Sequence, residues 1–306
     1  MMDIVGKRFW FFLISALVII PGVVSLAIFG LELGVDFSSG TTMTFRFDAE
    51  VEQGQLRQVL ADLGYDEAMI QRTGEGDFLV RTRQISSAER QELISGLEAD
   101  LNSELTLRDS YTVSPIIATE TGRNAAIAVG IAAVFMLFYI AWAFRRMPKP
   151  LRWGLCAIVA LLHDVLVVMG IFSILGWVAG VQIDAMFITG MLTVVGYSVN
   201  NTVVVFDRIR ENVSKGISKD FEMTVNSSIL ETLGRSLNTS LTTLFVILAI
   251  FLFGGVTIHY FILVLLIGVI AGTYSSMCIA SPLLVIWDRG EWGRFVSWLP
   301  FAKKPA

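Results

Sequence analysis

The chain is 306 residues long, 54% hydrophobic and only 16% charged. That composition excludes an ordinary soluble enzyme and describes a polytopic membrane protein. The net charge is −4, from 27 acidic and 23 basic residues, and the concentration of acidic residues in the segment after the first apolar run argues against nucleic acid as a partner.

The first long apolar run, Phe9–Phe29, follows Lys7 and Arg8. It is long enough to cross a bilayer, which needs about 20 apolar residues, and no small-residue cleavage site closes it, so it reads as an uncleaved signal anchor. Glu32–Gly122 then reads as an acidic soluble domain, with 17 acidic residues against eight basic ones up to Arg123. Strand-like runs at Thr41–Phe47, Ala68–Arg72, Asp77–Arg83 and Glu104–Val113 alternate with helical patterns at Glu52–Leu63 and Ser86–Leu101. In the second helix Leu93, Leu97 and Leu101 recur every four residues behind a Ser86/Ser87 cap and Glu89. The order β-α-β-β-α-β is that of a ferredoxin-like α+β domain, a fold that hosts many functions and names none.

Five more spans follow near Asn124–Phe144, Trp153–Trp177, Ala185–Phe206, Ser236–Phe253 and Ile258–Trp287, interrupted by ionisable groups only at His163, Asp164 and His259. The expected organisation is residues 1–30 as N-terminus and first helix, 31–122 as the extracytoplasmic ferredoxin-like domain, 123–288 as helices two to six, and 289–306 as a cytoplasmic tail. Basic residues, which stay on the cytoplasmic side of short loops, set the orientation. Lys7 and Arg8 precede span one, and Arg145, Arg146, Lys149 and Arg152 join spans two and three. Arg208, Arg210, Lys215, Lys219 and Arg235 join spans four and five, and Arg289, Arg294, Lys303 and Lys304 mark the tail. The short loops Val178–Asp184 and Gly254–Thr257 carry none, so both termini are expected in the cytoplasm.

Polar residues within the spans are the candidate site, because an unpaired amide or carboxyl in hydrocarbon costs several kcal/mol. Asp164 lies in the middle of span three beside His163. An intramembrane carboxylate is a functional hypothesis by default, and the alternative is a protonated Asp that ties two helices together. His163 is either a relay or a packing side chain. On span four, Thr189, Thr193, Tyr197 and Asn201 repeat every four residues, flanked by Gly190, Gly196 and Asn200. Asn200 and Asn201 stand about 9 to 10 Å before Asp207 by helical rise. Span five opens with Arg235, followed by Asn238/Thr239 and Thr242/Thr243 stacked one turn apart. Arg235 either snorkels to the headgroups or caps this polar group of residues. Gly268, Gly272, Ser276 and Ala280 on span six have small-xxx-small spacing, which lets helices touch. Together these residues predict one interior seam on spans three to five, and a seam with an acid and a base is what a proton path needs. Cys156 and Cys278 both fall inside spans, which excludes a disulfide in the outer domain and leaves too few ligands for a metal. No cofactor is expected, and an intramembrane hydrolase built on His163 is disfavoured because no serine in a nucleophile-elbow context faces it in the pattern.

The stretch Gly196–Arg208 with Ile209-Arg210-Glu211-Asn212, the run Arg235–Leu244, Gly254-Gly255, Gly268–Ser276 and Ile279–Leu283 together resemble the SecF branch of the SecD/SecF protein-export family. Gly34-Val-Asp-Phe37 and Leu161–Val165 match as well. The resemblance runs from span one to Trp287 and implies half of a SecD/SecF complex in the proton-driven RND superfamily. The implied partners are SecD, the SecYEG channel, a translocating preprotein, protons and the lipid of a bacterial inner membrane. The outer domain would bind or ratchet the emerging preprotein while protons move through the seam. A half-sized RND-like exporter of lipid or small solute shares the plan. Two departures from the family pattern stand out: Ser39 occupies the place of the first glycine of a Gly-Gly pair, and Asn200-Asn201-Thr202 replaces Asn-Asp-Thr. An Asn at 201 resembles a protonated Asp in shape but cannot titrate.

Overall fold

A computed structural model describes residues 3–73, 76–255 and 258–291. The basic tail residues Arg294, Lys303 and Lys304, and Val256 and Thr257 of the last short loop, lie outside the described residues. The chain divides into two compact units, one of residues 1–31, 128–181 and 186–306, the other of residues 32–127 and 182–185.

The second unit is built on a four-stranded antiparallel sheet. After the short α2 (Val35–Ser38) come β1 (Gly40–Phe47), α3 (Gln53–Asp62), β2 (Met69–Arg72), β3 (Phe78–Thr82), α4 (Ser87–Leu101) and β4 (Leu105–Val113). The strand order is β2-β3-β1-β4, the ferredoxin-like arrangement, with Met43 opposite Val80 on one side and Ser110 on the other. Alternation in β1 and β3 sends Met43, Phe45, Phe78 and Val80 to one face, where Leu56 and Leu60 of α3 and Leu93 and Leu97 of α4 complete the core. Leu101 packs at its margin. The start of α4 is fixed by a reciprocal cap: the Glu89 amide donates to Ser86 Oγ at 3.3 Å and Ser86 N donates to Glu89 Oε2 at 2.7 Å.

Two features differ from the sequence expectation. Residues 182–185 belong to this unit rather than forming a free loop, because Ile183 N donates to Glu32 O and Gly34 N to Ile183 O, both at 2.8 Å. Asp36 Oδ2 also accepts from Ala185 N at 2.9 Å, so the Gly34–Phe37 motif caps the next helix. The unit also extends past Gly122, because α5 (Pro115–Ala143) begins at a Ser-Pro start signal well before the apolar run. At the departure from the Gly-Gly pattern, Ser39 has φ +65° and ψ 164°, a region that only glycine enters freely. Gly40 follows at φ +138°, where a Cβ would stand 2.5 Å from Thr82 O.

The first unit holds α1 (Arg8–Ile28), most of α5, α6 (Pro150–Ala179), α7 (Ala185–Lys215), α8 (Phe221–Phe253), α9 (His259–Ser275) and α10 (Ser281–Arg289). The last two are joined by a π-helical segment, Ser276–Ala280, into one span. Among the described residues these give six helices long and apolar enough to cross a membrane. Leu17, Phe135 and Phe253 face outward, as lipid-facing side chains do. Glycines set the closest helix contacts: a Cβ on Gly22 of α1 would lie 2.8 Å from Gly170 Cα of α6, and one on Gly268 would overlap Val194 of α7. At one end of the bundle Phe144 stacks on Trp153 while Phe206 meets both edge-on. Arg8, expected as an orientation charge, is buried in an ion-pair clasp with Glu222 of α8 at 2.8 Å and Glu291, just past α10, at 2.5 Å.

Candidate functional site

Asp164 sits at the centre of α6 and is 1% exposed. A carboxyl so buried needs partners, and four helices supply the groups around it. Ser198 Oγ of α7 and Ser275 Oγ of α9 donate to Oδ2 at 2.5 and 2.8 Å. Oδ1 lies 2.9 Å from His163 Nδ1, and His163 Nε2 lies 3.0 Å from Ser15 Oγ of α1. Ser15 reaches Tyr274 of α9 at 3.4 Å, and Tyr274 donates to Phe11 O at 2.7 Å. The Tyr274 ring also stacks on the imidazole, with centroids 6.0 Å apart. Beside this chain a crevice of about 360 Å³ is lined by Ser15, His163 and Tyr274 among aliphatic side chains such as Ile14, Ile267 and Ile270.

Sequence spacing does not mark Ser15, Ser198, Tyr274 or Ser275 as partners of the pair. A serine does face His163, but not in a nucleophile-elbow context: Ser15 arrives from 148 residues away, inside α1. Ser198 and Ser275 lie inside the motifs that carry the family resemblance, and the small size of Ser275 within a close-packing stripe is the available signal.

The single interior seam is also corrected, because the structure divides its members between interior and surface. Asn201 is buried, and its Nδ2 has no hydrogen-bond partner among the described residues. Thr202 beside it shares a hydrogen bond with Ser276 at 2.9 Å. Tyr197 is half-buried and donates to Ser240 of α8 at 3.3 Å, which in turn meets Thr273 of α9 at 2.7 Å. Thr189, Thr193, Gly196 and Asn200 of α7 are instead exposed, as are Arg235, Asn238, Thr239 and Thr242 of α8, with Thr243 partly so. Thr193, Thr239, Thr242 and Thr243 return their hydroxyls to carbonyls of their own helix. Among the described residues the side-chain amides of Asn200 and Asn238 make no hydrogen bond. Arg235, with Val204, Asp207, Arg208, Glu211 and Glu231, lines a polar pocket of about 320 Å³ between α7 and α8.

The expected packing residues also separate. Gly190 faces Val264 and Phe261, Gly268 faces Val194, and Gly272 faces Ser198, so the small stripe of α9 carries the α7–α9 contact. Ser276 is buried and donates to Gly272 O at 2.7 Å. A Cβ on Gly196 would meet nothing within 4 Å among the described residues, so no close helix contact needs a glycine there. Among the described residues no cluster could hold a metal ion, and Cys156 and Cys278 are free thiols.

Residues 95–290 match the family described as protein export membrane protein SecD/SecF, C-terminal, and residues 24–51 match the SecD/SecF GG motif. The chain is 45% identical over 306 residues to protein translocase subunit SecF of Thermobaculum terrenum, covering 96% of each chain. It is 43% identical to the subunit of the same name from Anaerolinea thermophila, covering 100% of this chain and 99% of the relative. The crystal structure of SecDF from Thermus thermophilus, described as a translocon-associated membrane protein, superposes with a TM-score of 0.84 at 34% identity. That match takes in 94% of this chain but 39% of the longer one. With near-full-length identity, the GG-motif match and the shared architecture together, the chain belongs to the SecD/SecF family of protein-export membrane proteins.

Proposed function

We propose that the chain works with a SecD partner to harness the proton gradient for preprotein translocation through a SecYEG-type channel. The observation that carries this reading is the exposed polar face of α7 and α8. Asn200, Asn238 and Arg235 stand on helices of membrane-spanning length, where lipid offers no hydrogen bonds. Such a face needs a second bundle against it. The longer SecDF chain, of which this one matches 39%, carries additional sequence that fits that requirement.

Proton coupling is supported by Asp164, a buried carboxyl that accepts from hydroxyls of two other helices, and by the polar pocket at Arg235. One charge crossing the membrane potential is worth about 2.3 kcal/mol per 100 mV, enough to bias a two-state motion. Asn201 cannot exchange a proton, so the relay runs through Asp164 and through the partner's groups across the α7–α8 face. The distribution of basic residues supports cytoplasmic termini and an extracytoplasmic sheet unit in a bacterial inner membrane. The reading is non-enzymatic. Ser15, His163 and Asp164 follow the hydrogen-bond order of a nucleophilic triad, but Ser15 lies inside α1, where backbone N–H groups are committed to the helix and none serves an oxyanion.

The test is purification of the tagged chain from its native membrane. Recovery of SecD in fixed ratio, lost on Asn200→Leu combined with Asn238→Leu, is expected. Recovery without SecD would refute the partnership. In translocating vesicles, Asn201→Asp is expected to strengthen dependence on an imposed proton gradient, and an unchanged response would remove position 201 from the proton path.

A further inference from the structure

The hydrogen-bond partners of His163 constrain where its ring protons sit. Tyr274 donates its only hydroxyl proton to Phe11 O, an atom that can only accept. Toward Ser15 the tyrosine oxygen is therefore the acceptor, and Ser15 spends its own proton there. Toward His163 the Ser15 oxygen must then accept, which places a proton on Nε2. On the other side of the ring, Nδ1 and Asp164 Oδ1 are 2.9 Å apart and need a proton between them. Ser198 and Ser275 supply their protons to Oδ2 and leave Oδ1 for that role.

We infer that His163 and Asp164 form a one-proton store whose loss is read by α1 and α9 through Ser15 and Tyr274. Loaded, the pair holds two protons, as imidazolium with carboxylate or as imidazole with carboxylic acid, and its net charge is zero. That is the low-cost state for a site this deeply buried. Unloaded, the pair holds one proton, which stays between Nδ1 and Oδ1 because a bare nitrogen would otherwise face a carboxylate. Nε2 then becomes an acceptor, and Ser15 turns its hydroxyl away from Tyr274 to meet it.

The Ser15–Tyr274 bond is made in the loaded state and broken in the unloaded one, so a proton on α6 sets a link between α1 and α9. Tyr274 lies two residues before the π-helical segment Ser276–Ala280, the sort of irregular turn that gathers at functional sites. The groups facing the pair are few: Ser15 from α1, Ser198 from α7, and Tyr274 and Ser275 from α9. Among the described residues the only charged partner of either member is the other. Cys278 is the further titratable side chain on the Tyr274 side. The crevice beside Ser15 and His163 is walled mainly by aliphatic side chains such as Ile14, Val167 and Ile270.

The use of this store in export rests on the proton-coupled reading above, but the proton count does not. The full chain is labelled with ¹⁵N-histidine in lipid nanodiscs, with His259→Gln leaving His163 as the sole histidine. In the loaded form the NMR signal is expected to show a protonated Nε2, and loss of the stored proton converts it to a form with a proton on Nδ1 and a bare Nε2. Tyr274→Phe removes the acceptor that holds the Ser15 proton away from the ring. At a pH where both forms coexist, it is expected to raise the bare-Nε2 share about three- to tenfold. A bare Nε2 throughout the titration would overturn the inference, as would a Tyr274→Phe chain with unchanged populations. If the store behaves as described while export ignores the proton gradient, the proposed function fails and the store stands. Gradient-driven export with a permanently bare Nε2 overturns the store and leaves the proposed function standing.

Discussion

Replacing Ser39 by glycine should stabilise the sheet unit at its first strand. Ser39 holds φ +65° and ψ 164°, a conformation that costs a non-glycine residue about 1–3 kcal/mol. No hydrogen bond is made by its side chain among the described residues, so the substitution loses no contact. Its N–H donates to Val35 O at 2.9 Å, and glycine keeps that bond. Against the relief stands the greater freedom of glycine in the unfolded chain, about 0.5–1 kcal/mol. The central expectation is a net gain of about 1 kcal/mol, equivalent to about fivefold slower amide exchange where exchange follows opening of the unit. Hydrogen exchange followed by mass spectrometry on β1 peptides of the full chain in nanodiscs reads this directly. Ser39→Ala keeps the strained φ and should show no gain, and Gly40→Ala should lose protection because its Cβ would press on Thr82 O. Unchanged or faster exchange of β1 in Ser39→Gly would refute the reasoning.

Gly170→Ala, whose Cβ would stand 2.7 Å from Gly22 Cα, should cost about 1–3 kcal/mol of bundle stability, whereas Gly196→Ala, with open space around it, should be nearly neutral in thermal unfolding of the isolated chain. Arg8→Met should destabilise by about 1–3 kcal/mol, because Glu291 and Glu222 lose the cation they share while Glu222 keeps its ion pair with Arg289. Adding Glu291→Gln should recover part of that loss in the same melt. Glu89 is held below its ordinary value of 4.5 by accepting the Ser86 backbone N–H, then the Ser86 hydroxyl. A depressed carboxyl stabilises above its unfolded value and loses that contribution as pH falls through the folded one. Exchange protection in the first turn of α4 should therefore be full above about pH 5 and drop in acid, a drop that Glu89→Gln abolishes.

The ferredoxin-like unit was legible because its signals are local. Period-two alternation marks β1 and β3, Leu93 and Leu97 mark one face of α4, and Ser86 with Glu89 marks its start. The spans were legible from the length of uncharged runs. The partners of Asp164 were not, because a lone serine in an apolar run has no periodic signature, and Ser15 and Ser275 meet the pair across 148 and 111 residues. The seam failed for a geometric reason. Residues four apart on a helix advance about 40° around its axis, so three steps from Thr189 to Asn201 turn through about 120°. That rotation carries the series from an exposed threonine to a buried asparagine. Whether each end of such a series meets a neighbouring helix depends on tertiary packing that spacing alone does not encode.

Protons taken up at Asp164 are proposed to help drive export. The most direct measurement is preprotein translocation into vesicles containing this chain with SecD and the channel, with and without an imposed proton gradient, for the wild-type chain and Asp164→Asn. The account predicts that the gradient accelerates translocation by the wild-type chain and leaves Asp164→Asn at the gradient-free rate, with both versions assembling equally with SecD. An Asp164→Asn complex that responds to the gradient as fully as wild type would contradict it.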